Sequence, residues 1–283
     1  MERAYRTYDL GYGITEISEF GGPSVFLVEG TEAALLVDTG IGIGDLRSFV
    51  QSRTDKPLHV FLTHNHRDHV GNAPLFPSVM LSERDYRLGR IIRDFTSKES
   101  RLSFARRNCK EDGWSEDDVC DFSGFREPDV EFVSEGDTLS LGGRTLTFHA
   151  CPVHTAGSMV AIDSLSGTLF AGDDCNNTVG ITVRAVSSDE VVTIERALRS
   201  LEELDQLPFN HGRIFNGHAD FRHCGEALSP DVLPSLIEGL RRILSRNYVS
   251  RQRFLENTGT YTDFAVFGDV EVQFNRSHIY EKK

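Results

Sequence analysis

The most informative stretch of the chain is Thr63-His64-Asn65-His66-Arg67-Asp68-His69, which follows a short apolar strand pattern. Imidazole and carboxylate groups are ligands that suit zinc, and also iron or manganese. On an extended segment the side chains of His64 and His66 project to the same side, so both can reach one cation. If the chain then turns into a helix, Asp68 and His69 swing towards a second point nearby. The spacing therefore allows two metal ions.

Strand and helix patterns alternate on both sides of this histidine cluster. Strand patterns occupy residues 13–17, 24–28, 33–37 and 58–62, a second strand-rich region spans 130–170, and two more patterns lie at 264–267 and 270–274. Helical patterns cover residues 44–52, 82–113, 189–204 and 230–246. Two strand-rich halves, each with helices, favour a sandwich of two sheets with the helices outside.

Two of the helical patterns carry start signals. Ser188 or Asp189 can cap the helix predicted at 189–204, because a short oxygen-bearing side chain accepts a bond from a free N–H of the first turn. Ser229 is the candidate cap of the helix predicted at 230–246, with Pro230 in its first turn.

Four further motifs follow strand patterns in a fixed order. They are Asp38-Thr39-Gly40, His154-Thr155-Ala156-Gly157, Phe170-Ala171-Gly172-Asp173 and Asn216-Gly217-His218. Taken singly, each is compatible with a core histidine or a turn. Together with the cluster at 64–69 they resemble the metallo-β-lactamase superfamily over about residues 12–220. The resemblance implies a fold of the α+β class, a four-layer αββα sandwich formed as one domain over residues 1–283.

The resemblance also implies a binuclear metal site. His64, His66 and His154 would hold the first ion, and Asp68, His69 and His218 the second, with Asp173 bridging them. Asp38 would steady a histidine or the loop without binding metal. The cofactors would be two divalent ions, zinc first, with iron or manganese as alternatives.

The activity implied is hydrolysis of a small ester-like substrate, either a thioester, a lactone or a related acyl compound, by a hydroxide that bridges the metals. Asp68 would also orient the nucleophile or pass its proton. His66 stands where oxygen- or nitric oxide-reducing di-iron relatives carry Glu, which favours hydrolysis. Ser158 stands where glyoxalase II enzymes often have His, which disfavours a glutathione thioester. Two alternatives stay open: an iron-dependent persulfide dioxygenase-like enzyme and a phosphodiesterase acting on a small nucleotide.

The segment from residue 83 to residue 125 is longer than a simple connection requires, which predicts a helical insertion. It would be either a lid over the substrate pocket or a helical pair packed on the sandwich or on another subunit. As a lid, it would offer arginines to an anionic group and aromatic side chains to an apolar wall. These residues are Arg87, Arg90, Arg93, Tyr86, Phe95, Phe104, Trp114, Phe122 and Phe125.

The formal charge of the 283-residue chain is −13, with 30 basic and 43 acidic residues. Such a surface repels phosphate backbones and anionic membranes, so we expect a small-molecule substrate, no polymeric nucleic acid and no membrane partner. The sequence leaves open whether the protein forms a homodimer.

No apolar run follows the charged start of the chain, so we expect a cytoplasmic enzyme. The five cysteines are scattered without a CxxC pair, which predicts free thiols.

Overall fold

The computed structural model describes residues 5–88, 97–109, 111, 113–124, 126–182, 188–219, 222–255 and 260–281. Its first sheet has seven strands in the order β1-β2-β3-β4-β5-β6-β7. They are Arg6–Asp9 (β1), Ile14–Ser18 (β2), Ser24–Glu29 (β3), Ala34–Val37 (β4), Leu58–Phe61 (β5), Ser78–Leu81 (β6) and Asp129–Phe132 (β7). The pairs from β1 to β4 are antiparallel and those from β4 to β7 are parallel. The carboxyl ends of β4 and β5 therefore meet at one edge, where the first two sequence motifs begin.

The second sheet has five strands in the order β13-β11-β10-β9-β8. They are Thr138–Ser140 (β8), Thr145–Ala150 (β9), Met159–Asp163 (β10), Leu169–Phe170 (β11) and Ile214–Phe215 (β13). Strands β11 and β13 are parallel, so the motifs that follow them leave the sheet side by side.

A third sheet of four strands, in the order β12-β16-β15-β14, was not predicted as a separate sheet. It combines Thr178–Ile181 (β12) with Ser250–Leu255 (β14), Thr260–Phe267 (β15) and Val270–Phe274 (β16). Strand β12 pairs in parallel with β16, which lies about ninety residues further along the chain. This pairing brings the C-terminal part of the chain beside the residues that follow Asp173.

Five helices accompany the sheets among the described residues: Leu46–Gln51 (α1), Glu83–Leu88 (α2), Lys98–Asn108 (α3), Ile194–Asp205 (α4) and Val232–Leu244 (α5). Both predicted caps of the last two helices are wrong. Helix α4 starts late because Thr182 exchanges two hydrogen bonds with Val192 and keeps it extended, so Thr193 becomes the cap. Helix α5 starts after Asp231, and Ser229 lies in the preceding turn.

The two large sheets pack face to face around aromatic side chains. The rings of Phe61 and Phe148 lie 4.6 Å apart, and those of Phe26 and Phe170 lie 5.3 Å apart. On the outer face of the first sheet, Val25 and Leu27 pack with residues of α1 and α3. The outer face of the second sheet packs against α4 and α5. Because both faces are covered here, the central strands β3 and β4 are almost continuously apolar and buried.

The α+β class and the αββα layering predicted from the sequence are confirmed. All five cysteines are free, as predicted. Among the described residues, no helix combines the length and the apolar character that crossing a membrane requires.

Candidate metal centre

All seven predicted ligands come together at one edge of the sandwich, although they belong to four separate segments of the chain. Their donor atoms form three overlapping groups, and within each group these atoms lie within 4.8 Å of one another. The groups are His64, His66 and His154; His64, His69 and Asp173; and Asp68, His69 and His218.

The first group presents three imidazole nitrogens to a common point. Nδ1 of His66 lies 3.0 Å from Nε2 of His64 and 2.9 Å from Nε2 of His154. Around a tetrahedral zinc ion, with zinc–nitrogen bonds of about 2.0–2.1 Å, ligand nitrogens lie roughly 3.3 Å apart. Both measured distances are a few tenths of an ångström shorter than this, so a small outward shift of the rings would admit one cation among the three nitrogens.

Asp173 occupies the centre of the site. Its Oδ2 lies 3.6 Å from Nε2 of His154 and 3.4 Å from Nε2 of His218, and its Oδ1 lies 3.4 Å from Nε2 of His69. Oδ2 of Asp68 approaches the same His218 nitrogen at 3.4 Å. One carboxylate therefore faces both groups of imidazoles, which is the position of a bridging ligand.

Three of the histidines are held from behind through their other ring nitrogen. Nδ1 of His154 donates to the carbonyl oxygen of Gly180 at 2.9 Å, which leaves the Nε2 lone pair directed into the site. Nδ1 of His69 lies 2.8 Å from Oδ2 of Asp38, and Nδ1 of His64 lies 3.1 Å from Oγ1 of Thr63. Such contacts fix the ring orientation and the tautomer of a metal-ligating histidine.

Asp38 therefore contacts His69 from outside the cluster of seven, and it also accepts the backbone N–H of Thr63 at 2.8 Å. Its φ angle of 63° lies in the left-handed region, where a short side chain that bonds locally is tolerated. The turn after β4 thus directs the carboxylate at the loop after β5.

Two buried atoms of the site, Nε2 of His69 and Oδ1 of Asp173, lie 3.4 Å apart and form no hydrogen bond with any described residue. A buried polar atom without a partner costs about 1–3 kcal/mol, so such atoms call for an explanation. Both point at the shared centre, where a cation would satisfy a nitrogen and an oxygen together. The residues present fit a pair of divalent metal ions.

The electrostatics of the two halves differ. Burial and the neighbouring His154 ring lower the pKa of His66 to about 3, so this imidazole is neutral, the form that binds metal. Burial also opposes charge on His218, but Asp173 and Asp68 outweigh it and raise its pKa to about 9. The carboxylates therefore create a field around His69 and His218 that favours positive charge.

Two supporting residues were missed from the sequence. Asp85, in α2, is buried and accepts bonds from the loops of both His66 and His154. Arg222 is buried beneath the last motif, where its Nε donates to Oδ1 of Asn216 at 2.7 Å and its Nη2 pairs with Glu16 at 2.9 Å. For Asp85, the Ser82-x-x-Asp85 spacing is a local sequence signal, but it indicates the start of a helix and not a contact with the ligand loops. For Arg222, the sequence gives no local signal.

Those of the proposed lid residues that the structure describes make their contacts away from the seven ligands. Arg87 pairs with Glu83 on the surface. Three of the aromatic side chains pack against the outer core of the first sheet, namely Tyr86, Phe104 and Trp114, and Phe122 is buried under Arg101. Arg90, Arg93, Phe95 and Phe125 lie outside the described residues. These contacts favour the packed helical segment over the lid, while its role stays a prediction.

Known proteins match this chain over most of its length. It is 24% identical to the acyl-coenzyme A thioesterase MBLAC2 of Gallus gallus, over 73% of this chain and 78% of the relative. With the MBLAC2 of Homo sapiens the identity is 25%, over 80% and 87%. The uncharacterized protein YobT of Bacillus subtilis is 30% identical over 56% of this chain and 64% of the relative.

Solved structures share the fold at lower identity. A metallo-beta-lactamase from Pontibacter korlensis aligns with a TM-score of 0.56 and 16% identity, over 84% of this chain and 99% of that one. The metallo-beta-lactamase family protein TTHA1429 of Thermus thermophilus aligns with a TM-score of 0.55 and 20% identity, over 84% and 82%. Residues 19–173, more than half of the chain, match the sequence model of the metallo-beta-lactamase superfamily. The chain thus belongs to the metallo-β-lactamase superfamily and is a metal-dependent hydrolase.

Proposed function

We propose that the chain hydrolyses a thioester of the acyl-coenzyme A type, using two divalent cations, zinc in the first place. The observation that carries the proposal is the position of Asp173, whose Oδ2 faces Nε2 of His154 and whose Oδ1 faces Nε2 of His69. His64, His66 and His154 would hold one cation. Asp68, His69 and His218 would hold the other, with Asp173 shared.

When bound, a pair of divalent cations would supply Lewis-acid chemistry, polarisation of the substrate carbonyl and a lowered pKa for a bound water molecule. The chain's own residues orient that chemistry. Asp38, Gly180 and Thr63 fix the rings of three histidines, as their contacts show. Asp68 is half-buried beside His218 and is proposed to orient the attacking water and to take its proton on a carboxylate oxygen.

The reaction needs no other co-reactant. Water adds its oxygen to the acyl carbon and the carbon–sulfur bond breaks. One proton of the water passes to the leaving thiolate and the other is released to solvent, so the products are a carboxylate, a thiol and one proton. The thioester assignment is supported by the acyl-coenzyme A thioesterase relatives, which align over 73–80% of the chain. The charge of −13 argues against polymeric nucleic acid as a substrate.

The direct test is turnover by the zinc-loaded protein, with released thiol detected by a thiol-reactive dye. The panel contains short- and long-chain acyl-coenzyme A thioesters, a lactone, a phosphodiester and a persulfide with oxygen uptake recorded, alongside the metal content of the protein. We expect two metal ions per chain and thiol release from a thioester. Cleavage of the phosphodiester alone, or oxygen uptake with a single iron, would reject the proposal in favour of the corresponding alternative.

His66→Ala and Asp173→Ala are the matched variants for the site. Each should bind less metal and lose thioester turnover, while the far-ultraviolet circular dichroism stays that of the unmodified protein. His211→Ala is the control, because that ring contacts Asp205 away from the cluster. Full activity in both site variants would be incompatible with the proposed ligands. The cytoplasmic location, the homodimer and the small-molecule partner stay predictions from the sequence.

A further inference from the structure

Asp85 is a buried carboxylate that the chemistry proposed above does not use. It lies in the second half of the first turn of α2, and only 3% of it is exposed. Burial raises its pKa, although three hydrogen bonds and the nearby His154 oppose that effect. A buried carboxylate is costly unless donors surround it, so its retention here calls for a reason.

The two oxygens of Asp85 bond to two different loops. Oδ2 accepts the backbone N–H of Asn65 at 2.6 Å. Oδ1 accepts the hydroxyl of Thr155 at 2.8 Å and the backbone N–H of Gly157 at 3.1 Å. Asn65 stands between His64 and His66, and Thr155 follows His154. One carboxylate therefore spans the chain segments of all three histidines in the first group.

The turn at the start of α2 adds to this connection. Oγ of Ser82 donates to the carbonyl oxygen of Gly157 at 2.6 Å and accepts the N–H of Asp85 at 3.1 Å. The fit is close: a Cβ added at Gly157 would lie 2.4 Å from the Asp85 nitrogen and 2.8 Å from its Oδ1. Glycine at position 157 is what lets the helix approach the loop.

We infer that Asp85 is a positioning residue that holds the two halves of the first metal-binding group at the correct separation. The inference rests on the proposed metal-binding role of His64, His66 and His154, and is independent of the substrate. It also gives the inserted segment a function: its first helix ties together two loops that come from different sheets. Residues of this kind typically affect metal affinity about 10- to 100-fold.

The test is Asp85→Asn. An asparagine carbonyl can keep the bonds from Thr155 and Gly157, but its NH2 group then faces the N–H of Asn65 without an acceptor. We expect the affinity for the first-group cation, measured by chelator competition, to fall about 10- to 100-fold. The visible absorption spectrum of the cobalt-loaded protein should change as well, because the ligand geometry is disturbed.

Asp163→Asn is the matched control. Asp163 is an equally buried carboxylate of the second sheet that bonds to Arg144, away from the site. It should lower the melting temperature of the metal-free protein without changing cation affinity or the cobalt spectrum. If Asp85→Asn fails to fold, Thr155→Val removes one of the donors and should cause a smaller loss of affinity in the same direction.

Wild-type cation affinity and an unchanged cobalt spectrum in Asp85→Asn, or in Thr155→Val if that variant replaces it, would overturn the inference. An equal loss of affinity in Asp163→Asn would also overturn it, because the effect would then be one of general stability. The readout is cation binding, so absence of thioester turnover counts against the proposed substrate alone. Absence of cation binding by the unmodified protein counts against both proposals.

Discussion

At the scale of single residues, the site depends on how closely the backbone approaches the ligands. Gly217 lies against the ring of His69 and the carboxylate of Asp173: an added Cβ would be 2.5 Å from Cε1 of the ring and 3.0 Å from Oδ1 of the carboxylate. Real Cβ atoms do not approach other atoms as closely as 2.5 Å, and the close packing of the interior leaves little room for the ring or the carboxylate to move aside. The close approach of the backbone to these two proposed ligands therefore requires glycine before His218.

We predict that Gly217→Ala displaces His69 or Asp173 and lowers thioester turnover at least 10-fold, with a cost in stability of about 1–3 kcal/mol. Gly212→Ala, five residues earlier, is the control, because the nearest atom to its added Cβ lies 3.3 Å away, at the end of the flexible Asn210 side chain. Turnover and urea unfolding of both variants check the prediction. Equal activity in the two variants would show that the close approach has no functional consequence.

The seven proposed ligands could be picked out from the sequence because each stands in a short motif at the end of a strand, where chemistry and spacing are local. Asp38, which supports His69, stands in such a motif too and was predicted, whereas Asp85 and Arg222 were not. Asp85 bonds to Asn65, Thr155 and Gly157, which are 20 to 72 positions away, and Arg222 pairs with Glu16 from the opposite end of the chain. Such partners are set by the packing of the sheets, which no local pattern records.

At the scale of elements, a buried carboxylate organises the connection between β4 and α1. Glu19, in the turn after β2, accepts the backbone N–H groups of Ile41, of Gly42 at 3.0 Å and of Ile43 at 2.8 Å. On the other side of that loop, the buried Arg101 of α3 donates to the carbonyl oxygen of Ile41 at 3.0 Å. The inserted helix α3 thus stabilises the loop that begins with the Asp38 motif.

We predict a pH-dependent contribution of Glu19 to stability. Burial raises the pKa of Glu19 from an ordinary value of 4.5 to about 7, although the hydrogen bonds from the loop act in the opposite direction. Because the pKa of Glu19 is higher in the folded state than in the unfolded state, protonation favours the folded state. The contribution of Glu19 to the unfolding free energy is therefore complete below about pH 4.5 and is lost as the pH rises through 7. Relative to Glu19→Gln, the unfolding free energy of the unmodified protein should fall by up to about 3 kcal/mol between pH 4.5 and 8.

Urea unfolding of both proteins at several pH values measures this difference. The surface variant Glu83→Gln serves as the control, since that carboxylate is half exposed and pairs with Arg87 on the same helix. Its stability should run parallel to that of the unmodified protein. If the stability of Glu19→Gln also changed with pH in parallel with that of the unmodified protein, the Glu19 carboxyl would have the same pKa in the folded and unfolded states, and the prediction would be wrong.

The start of α4 gives a second prediction at this scale. Oγ1 of Thr193 accepts the N–H of Arg196 at 3.1 Å, whereas Ser188 lies in a separate 3-10 turn. Thr193→Ala should therefore cost about 1 kcal/mol of unfolding free energy, and Ser188→Ala should cost close to nothing. Thermal unfolding of the two variants distinguishes the cap seen in the structure from the cap expected from the sequence.

At the scale of the whole molecule, the proposed metal pair adds a link between parts of the fold that are otherwise held by packing, by the Asp85 hydrogen bonds and by the Arg222–Glu16 ion pair. His64 and His69 follow the first sheet, while His154, Asp173 and His218 follow strands of the second. The sequence predicted both halves of the sandwich from apolar runs and turn residues. It did not predict the third sheet, because the pairing of β12 with β16 joins distant segments without a local pattern. A cation shared between the two large sheets binds the folded state only.

Removal of the metal should therefore destabilise the protein by mass action. At free zinc 100 times its dissociation constant, one site adds about 2.7 kcal/mol to the unfolding free energy, which corresponds to roughly 5 °C in melting temperature for a chain of 283 residues. We expect a chelator to lower the melting temperature by that amount and zinc to restore it. Asp173→Ala, which lacks the shared carboxylate, should melt at nearly the same temperature with and without chelator. A chelator effect of equal size in that variant would mean that the stabilising cation binds elsewhere, away from the cluster around Asp173.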